Sequence, residues 1–182
     1  MKSIYIFLTK SNTILSRIVY LITSDTYTHA SISFDKNFNF LYSSSRKNGR
    51  TIFPAGPCRE YLLRGYYKKN PNIPCAVYEL RVSDEVYEKA KYEVKRIISN
   101  ADKYHFNIIG LVLCRLNIPY HRKYYFFCSQ FVSEVLYRSK AISLPKDTSL
   151  MRPCDYMSLP ELRLLFKGNL RSLTKQGVLR LA

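Results

Sequence analysis

The sequence predicts an α+β fold with antiparallel strands. Some segments alternate apolar and polar residues with period two, others repeat apolar residues at helical spacing, and short turn signals separate strand candidates. No internal repeat, low-complexity tract or interdomain linker interrupts the 182 residues.

Ile4 to Leu8 is a β-branched and aromatic run that reads as a buried strand. A helix is expected over Thr9 to Thr23, with Ser11 as N-cap and Ile14, Leu15, Ile18, Val19 and Ile22 on one face. Tyr27 to Phe34 then alternates. Ala30, Ile32 and Phe34 should point one way, and Tyr27, His29, Ser31 and Ser33 the other. Asp35-Lys36-Asn37 supplies turn chemistry, so Phe38 to Ser45 can return as a hairpin partner. Arg46 to Pro57, basic and then Gly/Pro-containing, reads as a surface loop.

Cys75 to Val82 alternates like a strand. Ser83 then caps a helix over Asp84 to Ser99, whose first-turn acids suit the helix dipole. Ile108 to Leu116 reads as another helix. A further helix starts at Cys128 and should end near Ser139 to Ala141, and a short helix is expected at Pro160 to Phe166.

The length and 47% apolar content suit one domain over 1–182, with the basic stretch near 167–182 as a loosely packed tail. No apolar run approaches the roughly eighteen residues of a membrane span. The run at the N-terminus is short for a signal-peptide core, so a cytoplasmic location is expected. Five scattered cysteines show neither zinc spacing nor a disulfide framework; no metal or cofactor is expected.

Twenty-nine Lys and Arg against thirteen Asp and Glu leave a formal charge of +16. That excess suits an anionic partner: an acidic polymer, nucleic acid, or a membrane surface to which the protein is peripheral. A plain solvated surface is the competing reading.

The chemistry-bearing candidates are Cys128 and His29. Counting from Cys128, Phe131, Val132, Val135 and Leu136 share one helical face, with the thiol at its N-terminal end. Unpaired N–H groups and the dipole at a helix start favour thiolate. His29 lies on the serine-bearing face of its strand. His105 and His121 fall in a loop-like entry and a basic turn, where structural or solvated roles suffice. A thiol at a helix start and an imidazole on a strand are the parts of a Cys/His nucleophile.

Tyr27-Thr28-His29-Ala30-Ser31-Ile32, followed about a hundred residues later by Phe126-Phe127-Cys128-Ser129-Gln130-Phe131-Val132, resembles the permuted branch of the NlpC/P60 papain-like superfamily. The opening strand, Leu41-Tyr42-Ser43 through Asn48, and Arg152-Pro153-Cys154-Asp155-Tyr156 look similar to the same branch. The resemblance implies a papain-like antiparallel sheet or half-barrel packed against the cysteine helix. It implies Cys128 as nucleophile, His29 as its base, and the Cys128 N–H as an oxyanion donor. Relatives cleave amide bonds of cell-wall peptides or handle lipid and other acyl groups. The implied activity is a thiol hydrolase (amidase- or peptidase-like) or acyltransferase on a peptide or acyl substrate.

A third, histidine-orienting group is expected on the strand beside His29. Hairpin pairing of residues 34 and 39 puts Ser44 opposite His29, and a one-residue change substitutes Ser43 or Ser45. No Asp, Glu, Asn or His occurs from Leu41 to Ser45, so the expectation stops at a dyad. The rival is a non-catalytic basic binding module for nucleic acid or an anionic polymer. It would bind with steep salt dependence, unaffected by Cys128→Ala.

Overall fold

In the computed structural model, residues 1–10, 25–46 and 54–175 are described here. The strands are β1 (Lys2–Thr9), β2 (His29–Ser33), β3 (Leu41–Arg46), β4 (Ala55–Glu60), β5 (Pro74–Val82), β6 (His105–Phe106), β7 (Tyr125–Phe126) and β8 (Arg163–Asn169). The helices are α1 (Gly65–Lys69), α2 (Asp84–Ile98), α3 (Ile108–Arg115), α4 (Cys128–Arg138) and α5 (Leu170–Lys175), with 3-10 turns at Thr148–Leu150 and Pro153–Ser158. The fold is mixed α+β. A six-stranded sheet runs in the order β4-β3-β2-β1-β5-β8 with every neighbour pair antiparallel, while β6 and β7 form a short parallel pair.

The sheet is covered on both faces, which explains the unbroken apolar run in β1. Ile4, Ile6 and Leu8 join Ala30, Ile32, Ala76, Tyr78 and Leu80 against α2 and α4, through Ala90, Val94, Ile97, Phe131, Val132, Val135 and Leu136. Tyr5 and Phe7 face the other way and pack with Phe38, Leu62, Tyr67, Ile73, Leu170 and Leu173. In α2, Ser83 caps as expected, accepting from the Val86 N–H at 3.3 Å.

Several expectations need correction. Part of the loop expected over Arg46 to Pro57 is β4, with Ala55, Gly56 and Pro57 buried, because β3 needs an antiparallel neighbour on its open edge. The helix expected at Pro160 to Phe166 is replaced by β8, which pairs with the exposed edge of β5 through a bulge at Val77/Tyr78. Pairing an open edge outweighs local helical spacing there. Tyr27 lies outside β2 and packs with Ala30 and Ile32 rather than with the serines. The return strand starts at Leu41; Phe38 adopts φ 50° in the turn and is buried.

The helix expected over Thr9 to Thr23 falls mostly outside the described residues, and Thr9 closes β1. Of the basic tail, 167–175 continues β8 into α5, whose Leu170 and Leu173 are buried; 176–182 lie outside the described residues. No helix among the described residues is long and apolar enough to cross a membrane.

Candidate active site

Cys128 is the first residue of α4, as its spacing predicts, and the helix ends at Arg138 with Ser139 as C-cap. The preceding Phe127 is extended and contributes no side-chain cap. The first turn is therefore left without the hydroxyl or carboxylate that would ordinarily occupy its free N–H groups. The helix is apolar on one face because it packs on the sheet, but its other face is covered too: Ser129, Gln130, Ser133 and Glu134 are all buried.

Hydrogen bonds hold the helix start. Tyr156 O–H donates to the Ser129 carbonyl at 2.8 Å, and Ser133 Oγ donates to the same oxygen at 2.9 Å. On the sheet side, Ser44 Oγ donates to the Phe126 carbonyl at 2.7 Å. The 3-10 turn carrying Tyr156 also reaches the chain before His29, through an Arg152–Asp25 ion pair at 3.5 Å and the Cys154 thiol 3.9 Å from the Tyr27 carbonyl.

His29 opens β2. The Cys128 thiol comes up against the start of β2, its Sγ 4.0 Å from the carbonyl of Thr28, the residue before His29, and it is near enough to His29 to help raise the imidazole's pKa. The fold thus brings together the two residues singled out in the sequence across a separation of 99 positions. His105 is exposed, its ring 5.1 Å from that of Tyr125. His121 pairs with Asp147 at 2.8 Å and is half exposed.

The side chain that holds His29 is Glu60, which the sequence did not disclose. Its Oε1 and Oε2 lie 3.1 and 3.2 Å from His29 Nε2. Ser43 and Ser45 donate to Oε1 at 2.8 and 2.7 Å. Ser31 and Tyr67 donate to Oε2 at 2.9 and 3.2 Å. Four hydroxyl donors and an imidazole surround one carboxylate, and such a cage suits the anion. Glu60 and His29 side chains are each 13% exposed.

The electrostatics follow. Burial works against both charges. For Glu60 it is overcome by the charge and hydrogen bond of His29 and by the Ser45 and Ser43 hydroxyls, which hold its pKa at about 2. Burial likewise disfavours the His29 cation, but the Glu60 charge and the ability of Cys128 and the Glu60 carboxylate to accept from the ring prevail, and its pKa stands well above the ordinary value. Burial pushes Cys58 and Cys114 up to about 11 and Cys75 to about 12, and raises Cys154 as well.

The serine candidates divide by face. Ile32 pairs with Tyr42, and β3 pairs with β4 so that Ser43 opposes Cys58. Ser43 and Ser45 consequently share the His29 face and serve Glu60, while Ser44 turns to the opposite face and holds Phe126. The acid reaches His29 from β4, one strand beyond the expected neighbour, across small side chains on β3. A signal for it existed: three serines on a doubly covered face need an acceptor, and Glu60 closes the strand that follows them.

The chain matches no model of a known protein family and no curated protein. Among the described residues, no group of three or more His, Cys, Asp or Glu side chains is arranged to hold a metal ion.

Proposed function

We propose that this chain is a cysteine-dependent hydrolase or acyltransferase on a circularly permuted papain-like scaffold, with Cys128 as nucleophile, His29 as base and Glu60 as the group that orients and charges His29. The observation that carries this reading is His29 held by the Glu60 carboxylate while the Cys128 thiol, at the uncapped start of α4, lies against the chain at Thr28 beside it. The order of the parts, histidine strand before cysteine helix, and an antiparallel sheet packed against that helix also fit it.

With Nε2 held by Glu60, Nδ1 is the ring nitrogen left for the thiol. Cys128 passes its proton to His29, and the imidazolium is stabilised by Glu60 without taking a proton onto the carboxylate. The thiolate attacks an acyl carbon, and the carbonyl electrons move to an oxyanion beside the free N–H groups of α4. Collapse expels the amine or alcohol, which takes its proton from His29, and leaves a thioester on Cys128. Water deprotonated by His29 then releases the acid; an acceptor amine or alcohol in its place gives acyl transfer. An amide or ester of a cell-wall peptide or a lipid-linked acyl group suits this chemistry.

The test is an activity-based thiol probe applied to wild type, Cys128→Ala and His29→Ala. A screen of muropeptides, acyl lipids and thioesters would follow. Labelling of Cys128 that depends on His29 is the expected result. Labelling no faster than at the other four cysteines would end this reading.

A further inference from the structure

Helix α3 buries one side and leaves the other apolar side in water. Leu111 and Cys114 pack with Phe106, Ala55 and Phe127, and Asn107 caps the helix by accepting from the Gly110 N–H at 2.9 Å. Ile108, Ile109, Val112 and Leu116 are exposed, Ile109 at 53% and Leu116 at 62%, and Ile118 continues the surface just past the helix. The separations of four (108, 112, 116) and seven (109, 116) place these side chains on one outward stripe. Isolated exposed aliphatics are ordinary, but five within eleven residues, three on α3 and two just past its end, mark an interaction surface.

The rim identifies the partner. From Lys103 to Ser133 the chain carries Lys103, Arg115, Arg122 and Lys123 and no acidic residue. Lys103, Arg115, Arg122 and Lys123 are all exposed. Arg122 and Lys123 lie over the rings of Tyr125 and Tyr124, at 3.8 and 5.1 Å, and Tyr124 is itself exposed. Of the acids nearby in the chain, Asp147 is engaged with His121 and Ser149 and Glu134 with Arg138 and Thr148, while the exposed Asp102 stands just before Lys103 at the edge of the segment. Aliphatic side chains at the centre, cations and tyrosine at the margin, and the absence of acid in the segment are the composition that an anionic lipid interface selects.

We propose that the outer face of α3 and the loop to Tyr124 form the attachment surface of this protein for an anionic lipid bilayer. Aliphatic side chains would enter the headgroup boundary while the surrounding Lys and Arg meet lipid phosphates and carboxylates. The inference goes beyond the hydrolase reading and does not rest on it. The buried side of α3 packs on Phe127, the residue before Cys128, so attachment would bring the start of α4 near the lipid.

Vesicle co-sedimentation tests this with phosphatidylcholine alone and with phosphatidylcholine carrying roughly 30% phosphatidylserine. The double variant Ile109→Asp/Leu116→Asp should lose at least about tenfold in partitioning to the anionic vesicles, since each position forfeits apolar burial. Tyr92→Asp, at an exposed aromatic on α2, and Cys128→Ala should bind like wild type. The chain contains no tryptophan, so Leu116→Trp is an unambiguous reporter, and its emission should shift to the blue on anionic vesicles. Circular dichroism checks that each variant is folded; Ile109→Ser and Leu116→Ser serve if the double variant is not. Retained binding by the folded Asp or Ser variants would mean adsorption by charge alone and overturn the proposal. A dimer broken by the same substitutions, with no vesicle binding, would assign the face to a second copy and overturn it equally.

Discussion

Glu60 places both carboxylate oxygens within 3.2 Å of His29 Nε2, although β3 separates their two strands. This relationship rests on small side chains. Ser43 and Ser45 of the intervening strand leave room for the Glu60 side chain and fill the remaining space with hydroxyl donors. An acid on β3 itself would sit nearer to His29 but lose those donors. The arrangement fixes the ring from one side and leaves the other nitrogen for Cys128.

Thiol reactivity is the first expectation. A base acting on a nucleophile contributes about 10²- to 10⁴-fold, so His29→Ala should slow alkylation of Cys128 by that order near pH 7. Glu60→Gln should fall between wild type and His29→Ala, because Gln keeps an oxygen toward the ring but no charge. Mass-spectrometric rates at each cysteine give the comparison, with the raised thiols Cys58, Cys75 and Cys114 as slow internal references. Equal rates for wild type and Glu60→Gln would remove Glu60 from the mechanism.

The same pair should shape stability against pH. Glu60 is lowered from 4.5 to about 2, so its contribution is present above the unfolded value and fades as pH falls from about 4.5 toward 2. His29 is raised well above 6.5, so its contribution is full below 6.5 and fades as pH climbs through its folded pKa. The two windows overlap between about 4.5 and 6.5. Melting curves of wild type and Glu60→Ala should differ most there, by about 3 kcal/mol for a broken buried pair. The gap should close as pH falls and Glu60 takes a proton, and should narrow at higher pH as His29 loses its charge, leaving the part supplied by the hydroxyl donors to Glu60. A difference independent of pH would mean that Glu60 acts by packing alone.

How far the sequence discloses this depends on range. β1 is legible because both its faces are apolar, and α4 because its core residues repeat at helical spacing. Cys128 and His29 are legible as a pair since each sits at a recognisable point of its own element. Glu60 is not, for its meaning comes from a strand register and from hydroxyls up to 29 residues away. β4 and β8 are missed for a related reason: each is made by the open edge it covers, and neither has a strong periodicity of its own.

Three consecutive serines offer a finer test, since alternation sends them to opposite faces. Ser43→Ala and Ser45→Ala each remove a donor to Glu60. They should ease the grip on its charge and shift the pH profile of Cys128 labelling, with a stability loss of about 1 kcal/mol each. Ser44→Ala frees the Phe126 carbonyl instead. It should cost a similar amount but leave the His29 titration, followed by imidazole proton resonances, where it was. A His29 shift in Ser44→Ala equal to that in Ser45→Ala would contradict the register.

Gly56 tests whether the position of β4 matters to the site. A Cβ there would stand 2.7 Å from the Tyr104 carbonyl oxygen, a backbone atom that cannot swing aside. Gly56 pairs with Ser45, and Glu60 follows four residues later on the same strand. Gly56→Ala should therefore cost about 1–3 kcal/mol, as an overpacked site does, and should also lower the rate of Cys128 labelling. Gly65 supplies the contrast. Its φ of +56° strains an alanine, but nothing stands within 4 Å of the added carbon. Gly65→Ala should lose about 1 kcal/mol with labelling unchanged. If Gly56→Ala melts early yet labels like wild type, as Gly65→Ala should, then β4 serves the fold without tuning His29 through Glu60.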